Sequence, residues 1–205
     1  MNGILMTKSN IDLTVEGKKT QTRRLTGLKE INKEPDAWHC RERIGEKFYF
    51  EIPKTTTCHL LIKPRYPAGE VVYIKEAYKI TDVDTEENGY YPTQVEYRDG
   101  EKAWVHRPLG ISKVVPDKWF SLMFMPVWAA RYFVKILEVR AERLLGITPE
   151  DCIAEGVSSR EAYFAEWDVI NPLYPSTLNS WNFAYSYELC SREGLRPLPF
   201  VREGG

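Results

Sequence analysis

The chain has 205 residues and 23.8 kDa, is 43% hydrophobic and 28% charged, and carries 28 basic against 29 acidic side chains. That length and balance describe a globular protein able to bury a core without disulfides or a structural metal, which excludes disordered, fibrous and disulfide-scaffold classes. The formal net charge of −1 excludes attraction of polyanions by global charge, so any such partner must be held by a local basic patch.

In chain order, Ser9 and Asn10 are candidates to cap a short helix with Ile11 and Val15 on one face, stopped at Gly17. The basic segment from Lys18 to Leu25 alternates polar side chains and holds two threonines, a pattern that predicts an extended strand or its approach. Residues 27–46 read as a polar loop. Strands are predicted at 47–52, 59–63 and 71–76, punctuated by Pro53, Pro64, Pro67 and Gly69. The acidic run Asp82, Asp84, Glu86, Glu87 leads to two brief strands, 93–98 and 103–106, around the turn signal Asp99-Gly100, so an inserted hairpin is expected within 81–120.

The stretch 120–137 is the most apolar, but Pro126, Arg131 and Lys135 interrupt it, which argues against membrane insertion. The longest strand is predicted over 131–144, central in its sheet, with Phe133, Leu137, Val139 and Ala141 on one side and Val134 and Ile136 on the other. Thr148-Pro149-Glu150-Asp151 is the clearest helix start: a hydroxyl cap, a proline whose missing N–H is not needed, then acids at the positive helix end. Gly156 ends that helix. Ser158 with Glu161 predicts a second helix carrying Tyr163, Trp167 and Ile170 on one face and stopping before Pro172. A last strand is predicted over 182–189, and 191–205 reads as a loosely attached tail.

The high aromatic content, 6 Trp, 12 Tyr and 8 Phe, suits small curved sheets, so α+β with a compact barrel is the expected class. Glycine-rich phosphate loops, nucleophile elbows and paired zinc-binding histidines on a helix are absent from the sequence. His39-Cys40 with Cys58-His59 offers residue types that zinc prefers, but adjacent residues in extended chain point to opposite faces, so no metal and no cofactor are expected. Four cysteines without CxxC spacing, and no apolar signal core, read as a cytoplasmic chain with reduced thiols.

The informative constellation is the basic bend after Gly17, where Lys18, Lys19, Arg23 and Arg24 have only Glu16 nearby. By charge alone this is either a phosphate-binding cluster or a solvated edge strand. The string Val15-Glu16-Gly17-Lys18-Lys19-Thr20-Gln21-Thr22-Arg23-Arg24 resembles the start of ASCH domains, RNA-associated relatives of the PUA fold. The stretch from Pro67 to Glu76 looks like the family's glycine-acid turn leading into a strand that ends on glutamate. Met125-Pro126 with Trp128, Ala129 and Arg131, the run from Val139 to Leu144, the run from Thr148 to Val157, and Asn179-Ser180-Trp181 are similar to ASCH-like proteins of phages and prophages. Ser180, Val127 and Tyr73 depart from the pattern, standing where proline, arginine and tryptophan are common.

The resemblance implies a PUA-like barrel with short flanking helices over 1–190, in the host cytoplasm if phage-encoded. The ligand it implies is RNA or a modified nucleoside, held in a cleft by Lys18, Lys19, Arg23, Arg24, Glu76, Trp128, Arg131 and Trp181. The cations would meet phosphate, and the tryptophans, unless they belong to the core, would stack bases. The family also includes an amidohydrolase that deacylates acetylated cytidine, whose functional residues fall on Lys19, Thr22 and Glu155. Lys19 would activate the Thr22 hydroxyl and Glu155 would pass a proton to the leaving amine. A regular strand would point positions 19 and 22 to opposite faces, so Lys19 is expected in the turn. A third alternative is a phage structural or host-interaction protein using the acidic insertion and the tail.

Overall fold

The computed structural model describes residues 1–53, 58–110 and 117–191. In chain order the elements are β1 (Gly3–Leu5), α1 (Lys8–Val15), β2 (Gln21–Arg24), β3 (His39–Ile44), β4 (Lys47–Glu51), β5 (His59–Ile62), β6 (Val71–Lys75), β7 (Tyr78–Val83), β8 (Tyr90–Tyr97), β9 (Lys102–Pro108), β10 (Trp119–Phe120), β11 (Phe133–Arg143), α2 (Pro149–Ala154), α3 (Arg160–Ile170) and β12 (Trp181–Cys190). The chain is α+β and strand-rich, and it folds as two units: residues 1–11, 71–134 and the described part of 189–205 in one, 12–70 and 135–188 in the other. The tail expected over 191–205 lies, beyond its first residue, outside the described residues, as do residues 111–116 of the expected insertion.

In the first unit β1 runs parallel to β6, and β10, β7, β8 and β9 form an antiparallel sheet in that order. The inserted hairpin is present and longer than its predicted strands: β8 and β9 pair from Tyr90 opposite Pro108 to Glu96 opposite Lys102, closed by Gly100 N donating to Tyr97 O at 3.0 Å. Alternation turns Tyr78, Ile80, Val95, Tyr97 and Val105 inward, where they pack on Met125, Trp128, Ala129 and Phe133. The apolar stretch 120–137 therefore feeds a core, and among the described residues no helix is long and apolar enough to cross a membrane.

In the second unit β2, β12 and β11 lie side by side, and β3, β4 and β5 form an antiparallel sheet. Phe48 and Phe50 of β4 pack on Phe183 and Trp181 of β12, with ring centroids 5.3 and 5.2 Å apart. The polar loop expected over 27–46 is instead two short 3-10 turns, Ile31–Lys33 and Pro35–Ala37, followed by β3. Five of the six β3 side chains are exposed, so no apolar alternation announces a strand that is fixed by backbone pairing to β4. No sheet among the described residues closes into the expected barrel.

The long strand forms at Phe133–Arg143 with a different facing from the one expected. Phe133, Val134, Ile136 and Val139 are buried while Leu137 is 50% exposed, so strict parity fails between Ile136 and Val139. Within its unit β11 is interior, with β12 on one side and residues 69–70 bonded to Ile136 on the other. Around α1 the cap shifts: Thr7 Oγ1 accepts from Asn10 N, Ser9 and Asn10 lie inside the helix, and Val15 is exposed. The α3 cap is Ser159 rather than Ser158, its hydroxyl accepting from Ala162 N. Tyr163 and Trp167 face the core as expected; Ile170 does not.

Candidate functional site

The bend after α1 is built by backbone geometry before any charge is considered. Gly17 takes φ +72°, and the N–H groups of Lys18 and Lys19 both donate to Leu13 O, at 2.9 and 3.0 Å. This terminates the helix and leaves Lys19 in the turn ahead of β2, as its spacing from Thr22 requires. Thr20 N then donates to Ala154 O, and Thr20 O accepts from Tyr187 N, each at 2.8 Å, which ties the bend to α2 and β12.

From the other direction α2 presents the carboxylates. Thr148 and Asp151 form a reciprocal capping box, Pro149 opens the helix, and Glu155 is its C-cap. Gly156 follows at φ +83°, where an added Cβ would come within 2.9 Å of Leu13 Cδ1 and 3.4 Å of Lys19 Cβ. Only glycine lets α2 end this close to the bend.

There Lys19 Nζ donates to Glu155 Oε2 at 2.8 Å and to the Glu155 backbone carbonyl at 2.6 Å, with side chains only 5% and 4% exposed. Lys19 thereby caps the negative end of α2 and neutralises its last side chain. Arg23 Nη1 donates to Glu155 Oε1 at 3.1 Å, and its Nη2 donates to Asp151 Oδ2 at 2.8 Å and Glu142 Oε2 at 2.9 Å. Arg140 donates to Glu142 Oε1 at 2.5 Å and to Asp151 Oδ1 at 3.0 Å, and Gln21 Nε2 reaches the same Asp151 oxygen at 3.1 Å. Lys19, Arg23 and Arg140 thus meet Glu142, Asp151 and Glu155, and Arg140 also reaches the exposed Glu138 at 3.3 Å, so three cations face four carboxylates.

Burial disfavours charge on Asp151, but the Gln21 amide, Arg23, the Thr148 N–H and Arg140 outweigh it and hold the carboxyl below the ordinary carboxylate range. Burial likewise works against the Arg23 cation, and Glu155, Tyr163, Glu142 and Asp151 more than offset it, so its affinity for the proton rises. The Tyr163 hydroxyl is pushed well up, first by burial and then by Glu155.

Strand alternation separates the members of the basic segment. Gln21 and Arg23 share the network face of β2, so Thr22 and Arg24 project to the other, opposite Tyr185 and Phe183 respectively. That second face is rich in tyrosine: Tyr185 packs edge-on to Tyr66 at 5.4 Å, and the Tyr187 and Thr14 hydroxyls lie 3.0 Å apart. The structure therefore joins Lys19, Arg23 and Glu155, and sets Thr22 and Arg24 on the opposite side of their strand.

Lys18 is apart from both groups, its exposed amine paired with Glu16 at 2.7 Å. Glu76 and Arg131 belong to the first unit, where Arg131 holds Glu76 through two hydrogen bonds of 2.9 and 2.7 Å, pairs with Asp99 and Glu101, and lies over the Tyr97 and Tyr132 rings. Trp128 sits in the core of that unit beside Tyr78. Trp181 is buried in the second unit, its indole donating to Pro35 O at 3.0 Å and its backbone bracketed by the Asn32 amide. Both tryptophans are packing residues in place, rather than open stacking faces.

Sequence reasoning missed Glu142, Arg140 and Gln21, and read Asp151 only as a helix-start acid. The usable signal was Arg140 and Glu142 two positions apart on a predicted strand, where both must face the same way. His39 and His59, the centre of the weak zinc candidate, stand on β3 and β5 on either side of Glu51. Among the described residues no group of three or more His, Cys, Asp or Glu is placed to hold a metal ion.

No family model, curated protein or solved structure matches this chain.

Proposed function

We propose that the second unit binds a nucleobase-type ligand, RNA or a modified nucleoside, in the manner of the ASCH and PUA-like proteins that its sequence resembles. The observation that carries this reading is the buried Lys19–Glu155–Arg23 assembly, drawn from positions more than 130 apart in the chain. Such an arrangement is expensive as a folding device, because desolvating charges offsets much of their attraction and an apolar replacement is often as stable. It makes sense as a recognition device. An ammonium, a guanidinium and carboxylates held in fixed positions match the mixed donors and acceptors on a base edge.

Carboxylates that fully offset the cations favour an uncharged base over a phosphate, since a phosphate on Arg23 must compete with Glu142, Asp151 and Glu155. Calorimetric titration with cytidine, acetylated cytidine and short RNA tests the reading. Binding is expected for at least one, weakened about tenfold by Glu155→Gln through the loss of one charge-assisted contact. Failure of every nucleoside and RNA to bind at low salt overturns it.

The alternative reading is amidohydrolysis of acylated cytidine, favoured by the direct contact between the Lys19 amine and the Glu155 carboxylate, a pair across which a proton can pass. In that reaction the amide C–N bond breaks, water supplies the oxygen of the released acid, and the amine leaves with a proton. The side of β2 on which Thr22 lies argues against its acting as the nucleophile on a substrate at Glu155. Chromatographic detection of cytidine and acetate supports this reading. Full turnover by Thr22→Ala removes threonine from it, and absence of product from the parent protein eliminates hydrolysis.

A further inference from the structure

The outer face of the sheet β10-β7-β8-β9 carries side chains that the fold does not explain. With Tyr78, Ile80, Val95, Tyr97 and Val105 turned inward, Lys79, Glu96, Lys102 and Trp104 must point outward. Trp119 stands opposite Lys79, Lys79 opposite Glu96, and Glu96 opposite Lys102, so one row crosses all four strands. Just past β8, Arg98 lays its guanidinium over the Trp119 ring at 3.9 Å, and the Lys79 amine is 5.3 Å from the same ring centroid. Arg98 is exposed and has no carboxylate partner among the described residues. Trp104, on the edge strand β9, is 36% exposed although a buried site for an indole is strongly favoured.

Charge is polarised along this face. At the β8–β9 turn end stand Lys79, Arg98 and Lys102 with a single outward acid, Glu96, already shared by the two lysines at 3.0 and 3.6 Å. The acids of the turn itself, Asp99 and Glu101, are engaged by Arg131. Asp82 stands beside Gln94 farther along, and the run Asp84, Glu86, Glu87 follows it, so the opposite end is acidic. An anionic ligand is thereby favoured at the turn end, where the Arg98 guanidinium and the Trp119 indole present flat faces, with the Trp104 indole in the next row, opposite Gln94.

We propose that this face binds single-stranded nucleic acid, with bases stacking on Trp104 and on the Arg98–Trp119 pair and phosphates meeting Lys79, Lys102 and Arg98. Stacking on exposed aromatic rings flanked by cations is how sheets hold unpaired strands without reading their sequence. Duplexes keep their bases stacked inside and gain only the weak electrostatic term of a nearly neutral protein. This site shares no residue with the Lys19–Glu155 site and does not rest on it.

Fluorescence anisotropy with end-labelled oligouridylate and oligothymidylate of about ten nucleotides, at low salt, tests the proposal. The parent protein is expected to bind one or both, with quenched tryptophan emission, and to bind a duplex of equal length at least about tenfold more weakly. RNA and DNA arms reveal whether the sugar is read. Trp104→Ala and Arg98→Ala should each weaken binding about tenfold, Trp104→Phe should restore most of it, and Lys102→Ala should reduce the salt slope by about 0.7. These side chains point outward, so thermal melts should match the parent. Nucleoside binding by Trp104→Ala should also match the parent, which separates the two sites. The proposal is overturned if no oligonucleotide binds, if Trp104→Ala and Arg98→Ala bind as the parent does, or if polyglutamate competes as well as the oligonucleotide, since acidity alone would then suffice.

Discussion

Glu155 accepts from both Lys19 and Arg23 in a space nearly closed to water, so its charge is the one the second unit can least lose. Glu155→Gln removes the compensating anion and leaves two buried cations short of a partner. Such a change is expected to destabilise by about 3–5 kcal/mol, read from urea midpoints at neutral pH. Asp151 sets the pH dependence. Its carboxyl is held below its ordinary value in the folded state, so its stabilisation is complete above the unfolded value, about 3.9, and is lost as pH falls through the lower folded value. Urea midpoints measured from pH about 6 to about 3 should therefore drop at the acid end, and Asp151→Asn should flatten that drop. A variant with an unchanged acid limb would show that Asp151 contributes none of it.

α2 is short, and its two ends do different work. Thr148→Ala removes the cap of a six-residue helix and should destabilise by about 1 kcal/mol in thermal or urea melts. Gly156→Ala forces a non-glycine residue to φ +83° and drives its Cβ against Leu13, a strain of about 1–2 kcal/mol at the least. Because the same Cβ meets the stem of Lys19, this substitution should also weaken nucleoside binding, whereas Thr148→Ala should leave binding near the parent value. The Thr148 cap and the terminating glycine were both legible as sequence, because caps are local and the residues that make them are few; the reciprocal bond from Asp151 was not read. The pairing of β3 was not legible. Its outward side chains carry no alternation, and its hydrogen bonds run to a neighbour whose register no local pattern records.

Across the whole molecule, 28 cations face 29 acids, and the basic bend that looked free in the sequence is matched by carboxylates in space. The protein should therefore elute from heparin below about 0.15 M salt and show no retained duplex DNA at that ionic strength, measured by column chromatography and gel shift. Strong retention that survives Arg98→Ala and Lys102→Ala would mean that Arg23 or Arg24 is available to phosphate after all. The aromatic residues divide in the same way. Trp128 and Trp181 serve cores, while Trp104 and Trp119 of the hairpin sheet, which no motif marked, lie on a face with cations around them.

By itself the sequence determined the helix starts at Thr148 and near Ser9, the turn at Asp99-Gly100, the placement of Lys19 in a bend, and a strand-rich α+β chain. These follow from steric and hydrogen-bonding preferences acting within a few residues. Which charges meet was decided only by the tertiary structure. Glu155 comes to Lys19 because α2 ends on a glycine packed against Leu13, and Asp151 comes to Arg23 because α2 lies over one face of β2. That same packing placed Thr22 on the far side of its strand and turned an apparent cationic patch into a charge-compensated network, since electrostatic energy depends on distance in space and not on separation along the chain.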